Sequence, residues 1–417
     1  MSGPLRNDCF ALPPGVNWTP VRDALDALRN RLHCVTGQQI LPITQAAGRI
    51  LAAPVFARRA HPPFANSAVD GYGFAHASLT GTATDLPIAP GRAAAGAAFH
   101  GPLPTGHAIR ILTGAPLPQG VDCIALDEDV TVTDTRLHLS GTLKPGANCR
   151  PAGEDLQTGT KILAPGRRLT PGDVATAVST GVDDVTVQKR LRVAILSTGD
   201  EVVPAGTAAD PSQIYDANRP MLAAVIAAWG YDCIDMGHVA DDAAAVQTAL
   251  SDAAACADAI LTTGGASAGD EDHVSAALRA ADSLHLWRIA IKPGRPLALA
   301  MWDGTPVFGL PGNPVAAYVC TLVFARPSLA VMSGAHWFET AGQTLPAGFS
   351  KSKKPGRMEY LRARIENGAA AVFPSEGSGR VSGLSWADGL VVLPHEGAEI
   401  VPGTPVTYLP FSAFGLA

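Results

Sequence analysis

Residues 191–201 read Leu191-Arg192-Val193-Ala194-Ile195-Leu196-Ser197-Thr198-Gly199-Asp200-Glu201. The continuous apolar run lacks the alternation of a half-exposed strand, so it suits a strand buried on both faces. Two later runs leave in the same way. Ala259–Thr263 exits through Thr262-Thr263-Gly264-Gly265-Ala266-Ser267-Ala268-Gly269-Asp270, and Pro306–Leu310 exits through Gly309-Leu310-Pro311-Gly312-Asn313-Pro314. Helical stretches are expected at 218–229, 243–255, 272–280 and 314–332, with further strands at 231–236 and 284–291. Strand and helix alternation over 191–333 predicts a parallel sheet with helices on both faces.

The flanks read differently. Val21, Leu25, Leu28 and Leu32 share one face of a helix over 19–34, with Thr19 as N-cap and Pro20 in the first turn. A shorter helical element and an extended exit are expected over 40–56. Ala108–Thr113, Asp122–Leu126, Val130–Thr133 and Arg136–Leu139 are short β-type runs between Gly/Pro turns, so residues 60–155 read as a β-rich insertion. Val174–Thr180 is a short helix after the start signal Thr170-Pro171-Gly172, and residues 340–417 revert to short strands that suggest a small β-barrel. The expected class is an α/β multidomain protein. Its expected parts are a discontinuous α+β domain (1–59 and 156–190), the insertion (60–155), the parallel-sheet domain (191–334) and the C-terminal barrel (335–417).

The 417 residues allow two to four domains at roughly 150 each. Apolar residues are 47% and charged residues 16%, which excludes a disordered chain. The net charge of −6 argues against a nucleic-acid binder. No run reaches the roughly 18 apolar residues of a membrane span; the best, Pro314–Ala325, stops at Arg326. Met1–Trp18 lacks a basic region followed by an apolar one, so no secretory signal is expected. Seven cysteines show no paired spacing, which suits free thiols in a reducing cytoplasm. A Walker lysine, GxGxxG, HExxH and GxSxG are all absent, which disfavours P-loop, dinucleotide, zinc and serine-hydrolase chemistry.

In an open α/β sheet, ligands bind at the carboxyl ends of strands. The three Gly-rich exits therefore mark one site for an anionic, phosphorylated ligand. Its binding residues are Ser197, Thr198, Gly199, Gly264, Gly265, Ser267, Pro311, Gly312, Asn313 and Pro314. Arg288, Lys292 and Arg295 lie on the expected strand and the turn after it; Arg288 and Lys292, four apart, face the same side of an extended chain, which reads as an oxyanion clamp or else as a solvated strand edge. Carboxylates gather in loops: Asp155, Asp200, Glu201, Asp241, Asp242, Asp270, Glu271 and Asp272. An oxygen-only set beside phosphate suits Mg²⁺, although Asp241 and Asp272 also fit as helix caps. The segment His61-Pro62-Pro63-Phe64-Ala65-Asn66-Ser67-Ala68-Val69-Asp70-Gly71-Tyr72-Gly73 crowds hydrogen-bonding groups into a loop that reaches a polar ligand.

Together these motifs resemble the bacterial molybdopterin molybdenumtransferases, the family that includes the C-terminal domain of gephyrin. The resemblance is carried by 62–72, Leu112-Thr113-Gly114-Ala115 with Pro118, Arg150 with Gly153-Glu154-Asp155, and 197–201. It continues through Tyr215-Asp216-Ala217-Asn218-Arg219, 263–267, 291–296 and 309–314, in the family order over nearly the whole chain. The resemblance implies insertion of molybdate into adenylyl-molybdopterin with release of AMP and with Mg²⁺. It implies a homodimer whose cleft is shared between the α/β domain of one subunit and the insertion of the other. Molybdopterin adenylyltransferase and apo-molybdoenzymes or their chaperones would be partners, with no nucleic acid and no membrane. Carried over, Asp70, Thr113, Asp155, Glu201, Asp241 and Asp272 are catalytic, with Glu201, Asp241 and Asp272 holding the metal. Asn66, Ser67, Arg150, Arg288, Lys292 and Arg295 join the substrate-binding set, with Arg357, Arg362 and Ser378 as weaker candidates. The chain departs from the family at Ala65, Ala266, Ala268 and Arg288. A molybdopterin adenylyltransferase and a non-catalytic scaffold stand as alternatives.

Overall fold

The computed structural model describes residues 18–264, 273–280, 285–294 and 296–416. The central sheet has six strands in the order Asp232–Val239, Arg192–Thr198, Ala259–Thr263, Thr305–Leu310, Pro296–Trp302, His285–Arg288. The first four are parallel. Pro296–Trp302 runs antiparallel to both of its neighbours, so the sheet is mixed. This strand was not anticipated, because its first residue is a proline and the preceding Lys292-Pro293-Gly294 reads as a turn.

Side chains of one strand point alternately to the two faces. Val193 and Ile195 enter a core with Leu222, Val225 and Ile226 of helix Asn218–Ala228 and with Val319, Phe324 and Leu329. Ala194 and Leu196 enter a second core with Val246 and Leu250 of helix Ala243–Cys256 and Val274 and Leu278 of helix His273–Ala280. The first core also takes up Val21, Ala24 and Leu28 of helix Val21–Arg31. Thr19 does not cap that helix: its carbonyl accepts from Ala290 N at 2.8 Å, and Pro20 holds the N-cap position.

Pro314–Met332 is a continuous 19-residue helical run of mean hydropathy 1.7, long and apolar enough to cross a bilayer by length and composition. The expectation that no run reaches that length is therefore corrected. A window share of 89% is buried inside the fold, the position of a core helix. Its middle, Thr321–Ala325, widens to π geometry. Pro327, in the first turn of Arg326–Met332, lacks an N–H and would clash with the carbonyl four residues back, and the wider turn relieves this.

The expected strand over 284–291 is divided. His285–Arg288 stays in the central sheet, whereas Ile291–Lys292 pairs in parallel with Met358 and Glu359 of the C-terminal unit. Arg288 and Lys292 therefore belong to different sheets and do not share a strand face. The C-terminal strands Met358–Glu366, Gly389–Leu393, Pro405–Pro410 and Gln343–Pro346 pair in that order. The bridge Ala347–Ala370 and the strand Ala369–Val372 return the ring to Met358–Glu366, closing a small barrel.

The insertion holds a six-stranded sheet in the order Cys123–Leu126, Gly71–Phe74, Ala108–Ile111, Ala83–Ala93, Arg136–Ser140, Val130–Thr133. Ala83–Ala93 was not anticipated because Pro87, Pro90 and Gly91 interrupt it. It pairs with Arg136–Ser140 up to Pro87 and with Ala108–Ile111 afterwards, the second pairing shifting register between Ile88 and Arg92. Proline is tolerated at such a bulge. In the discontinuous unit, residues 40–56 do not form the expected helix. Gln38–Pro42 is a strand paired with Asp184–Gln188, and only Ile43–Gln45 makes a 3₁₀ turn. Thr170 caps helix Pro171–Ser179 through a reciprocal box with Asp173.

Candidate active site

The three Gly-rich exits meet. A Cβ at Gly264 would stand 2.6 Å from the Thr198 carbonyl oxygen, and one at Gly312 would stand 3.6 Å from Gly264 Cα. Gly264 has φ +86°, a region that glycine enters without steric cost. The Asn218 side-chain amide donates to the Gly312 carbonyl at 2.7 Å, tying the start of its helix to the third loop. Asn313 caps the next helix by accepting from Val315 N at 3.2 Å, with Pro314 at the first helical position and Pro311 buried before it. Ser197, Thr198, Gly199, Gly264, Pro311, Gly312, Asn313 and Pro314 thus form one cradle.

Asp216 organises the cradle from below. It is buried and accepts from Ser197 Oγ at 2.7 Å, Arg219 N at 3.1 Å and Arg219 Nε at 3.1 Å. Arg219 also donates to Asp235 at 2.8 Å. Burial pushes the Asp216 carboxyl up, but the Ser197 hydroxyl and the Arg219 N–H and guanidinium outweigh it and hold it below the usual range. A carboxylate of depressed pKa contributes stability that is present above the unfolded value and lost as pH falls through the folded one. Asp216→Asn is therefore expected to cost about 2 kcal/mol at neutral pH. That gap should shrink between about pH 4 and the lower folded pKa, which denaturant unfolding at several pH values checks. In the sequence Asp216 and Asn218 stand within the 215–219 motif with no role of their own. The usable signal was an Asp two residues ahead of a helix start with Arg three residues on.

Two acidic loops flank the cradle. The Glu201 carboxylate folds back over Gly199, where a Cβ would meet Glu201 Oε2 at 2.6 Å. His238 Nε2 lies 2.8 Å from the Gly199 carbonyl. Asp200 Oδ1 accepts from Asp241 N at 3.1 Å, joining the loops after two paired strands. Asp241 is not a helix cap; Asp242 takes that place, accepting from Ala244 N and Ala245 N at 3.0 and 2.9 Å. Glu201 and Asp241 therefore lie at the same end of the sheet, and their all-oxygen chemistry fits a hard divalent cation. Among the described residues no group of three or more His, Cys, Asp or Glu forms a metal cluster. Asp272, Gly265, Ser267 and Arg295 lie outside the described residues, as does the side chain of Arg288.

The insertion residues form a second cluster. Asp70 Oδ1 accepts from Thr113 N at 2.7 Å and Thr113 Oγ1 at 2.6 Å, and both residues face solvent. These two donors, with Arg110 nearby, hold the Asp70 carboxyl below its ordinary range. Asn66 pairs with Arg150 across a short ladder. Asn66 is buried, and its Oδ1 has no hydrogen-bond partner. Ser67 is structural: its hydroxyl bonds the Val69 backbone and its own backbone pairs with Gly114 and Ala115. Arg150 and Asp155 are exposed. The hydrogen bonds of Asn66, Ser67, Asp70 and Thr113 stay inside the insertion. A close approach between Gly71 and a neighbouring strand sets this cluster: a Cβ there would stand 1.9 Å from the Ala125 carbonyl oxygen.

Lys292 sits among Lys351, Glu359 and Glu376 of the C-terminal barrel, in a cavity that also takes in Val315, two residues beyond Asn313 of the cradle. Arg362 is buried and grips the carbonyls of Ser375, Gly377 and Arg380, so it shapes a loop and does not present its charge to solvent.

Comparison with known proteins covers nearly the whole chain. Residues 19–181 match the MoeA N-terminal region (domain I and II), 194–331 a probable molybdopterin binding domain, and 344–411 the MoeA C-terminal region (domain IV). The molybdopterin molybdenumtransferase of Haemophilus influenzae is 33% identical over 396 residues, 93% of this chain and 98% of that one. Molybdopterin molybdenumtransferase 2 of Mycobacterium tuberculosis is 33% identical over 377 residues, 87% of this chain and 93% of that one. The crystal structure of a molybdopterin biosynthesis moeA protein from Pyrococcus horikoshii superposes with a TM-score of 0.82 at 26% identity. That match covers 94% of this chain and 100% of the other.

Proposed function

Because the chain belongs to the MoeA family of molybdopterin molybdenumtransferases, we propose that it inserts molybdate into adenylyl-molybdopterin, releasing AMP and completing the molybdenum cofactor. It is a transferase of molybdenum cofactor biosynthesis. The observation that supports the reaction is the meeting of three Gly-rich strand exits in one cradle, a geometry that would let backbone N–H groups approach a phosphorylated ligand.

The residues divide the work by chemistry. An ionised Asp216 only accepts, so the buried Ser197 commits its proton to Asp216 and fixes the strand end beneath the cradle. Lys292 offers charge to an oxyanion. Glu201 and Asp241, with Asp272 as the third carboxylate, would hold a divalent cation, whose charge stabilises a departing AMP phosphate. We further propose a homodimer in which Asp70, Thr113, Arg150 and Asp155 of one subunit face the cradle of the other. The exposure of Asp70 and Thr113, and the confinement of their hydrogen bonds to the insertion, support this arrangement. Six free cysteines among the described residues fit a cytoplasmic enzyme.

The test is molybdate- and Mg²⁺-dependent AMP release from adenylyl-molybdopterin by the purified chain. Asp70→Asn and Glu201→Gln are each expected to lower it at least about 100-fold. Mixed and re-equilibrated, the two variants should recover about a quarter of wild-type activity, since half the dimers are mixed and each mixed dimer keeps one intact cleft. No recovery would place each cleft within a single subunit. No release from the wild-type chain, with ligand bound, would favour a scaffold, and adenylylation of molybdopterin from ATP would assign the preceding step.

A further inference from the structure

Lys292 and Lys351 flank a cavity of about 310 Å³ between the α/β domain and the barrel, lined also by Ser350, Tyr360, Arg362 and Ser375. Lys292 arrives on the short strand that joins the barrel sheet, and Lys351 on strand Lys351–Lys353. Two carboxylates face them. Glu359 is buried, 3.2 Å from Lys351 and 3.6 Å from Lys292. Glu376 takes Lys292 at 2.7 Å through one oxygen and Lys351 through the other.

The two carboxylates differ in how they are held. Glu359 sits on a strand paired on both sides, opposite Leu393 and Lys292, with its side chain 7% exposed. Glu376 lies in a loop with its side chain 45% exposed, and the loop is held from behind, where Arg362 grips the carbonyls of Ser375 and Gly377. Rotating the Glu376 side chain outward would need no backbone movement. The cluster would pass from neutral to a single positive charge, with two ammonium groups aimed at one vacated position. A carboxylate bridging two lysines has the charge and donor geometry of a bound oxyanion.

We propose that Glu376 is an internal placeholder for an oxyanion, and that Lys351 is the second cation of the clamp formed with Lys292. This rests on the molybdate-inserting reading of the chain. Molybdate then enters by exchange with Glu376, so the clamp never stands open with its net positive charge uncompensated, and weakly competing anions are turned away. Glu376 is a positioning and specificity residue and touches no reacting atom.

The experiment measures equilibrium binding of molybdate, and separately of inorganic phosphate, to the full-length chain and to Glu376→Gln, Lys351→Met and Lys292→Met. Glu376→Gln keeps the size of the side chain and removes its charge. It is expected to bind molybdate about tenfold more tightly and to gain more for phosphate than for molybdate. Lys351→Met should weaken molybdate about as much as Lys292→Met does. Unchanged affinity in Glu376→Gln, with binding still dependent on Lys292, would overturn the placeholder while leaving the functional reading intact. If neither oxyanion binds the wild-type chain or Glu376→Gln, the clamp and the proposal both fall, whatever AMP release shows. Thermal unfolding of each variant separates lost binding from lost folding.

Discussion

Gly264→Ala is expected to lower AMP release to about 1% of wild type, because a displacement of about 1 Å at a positioning loop costs on the order of 100-fold. The new Cβ would stand 2.6 Å from the Thr198 carbonyl and 2.9 Å from its hydroxyl. Neither partner can retreat. Thr198 is buried and ends a strand paired on both sides, with Ser197 against Thr263 and Thr198 against Val239. The backbone at Gly264 also lies in the left-handed region, so the strain persists wherever the loop moves. The loop must swing away from Gly312, and the cradle opens. A stability loss of about 2 kcal/mol should accompany this. Gly312→Ala is the control. Its Cβ would meet Gly264 Cα at 3.6 Å and Gly264 N at 3.9 Å, ordinary contacts, so its unfolding midpoint should match wild type. Normal turnover by Gly264→Ala would mean that the three loops act independently.

The second large effect is expected at Arg326, far from the cradle. Its guanidinium is buried, stacked 5.0 Å from Trp229 and 4.3 Å from Phe338. It donates to the Phe414 carbonyl at 3.0 Å, an oxygen that also accepts from Trp229 Nε1 at 2.8 Å. Among the described residues no carboxylate pairs with it, and burial lowers its pKa. The aromatic faces, one doubly used carbonyl and the Tyr231 hydroxyl, 3.4 Å from Nη1, are what keep the charge inside. Arg326→Ala removes both ring contacts and leaves a cavity, for a loss of about 3–4 kcal/mol. Amide hydrogen exchange should rise first at Phe411–Phe414, which this residue fastens to the α/β domain. Unaltered exchange there would show that the C-terminal turn holds by its own packing.

What the sequence made legible follows from the range of each interaction. The strands at 192–198 and 259–263 and the helices at 218–228 and 243–256 were readable because continuous apolar runs and helical spacing are local signals. So was the cap at Thr170. The misreadings occur where a distant partner overrode a local preference. Thr19 looked like a cap, but Ala290 takes its carbonyl. Residues 38–42 became a strand because Asp184–Gln188 lies alongside. Ile291, the last residue of its expected strand, left it with Lys292 to pair with the barrel. The site shows the same division. The Gly-rich exits were visible one by one, since each needs glycine where the chain turns. Lys351 and Glu376 were invisible, because Lys292 meets Glu376 only across 84 residues of sequence and a lone Glu in a loop carries no pattern.

The apolar run Pro314–Met332 has a consequence during synthesis. Outside its fold it presents what a membrane-insertion machinery recognises, a 19-residue greasy helix. The ribosome makes it after every strand of the sheet it covers, from Arg192–Thr198 through Thr305–Leu310. The nascent sheet can therefore offer a competing apolar surface as the run leaves the exit tunnel. Translation order makes prompt docking a safeguard against misrouting, and substitutions that slow assembly of residues 192–310 would leave this run open to chaperones and insertases even where the finished protein is stable.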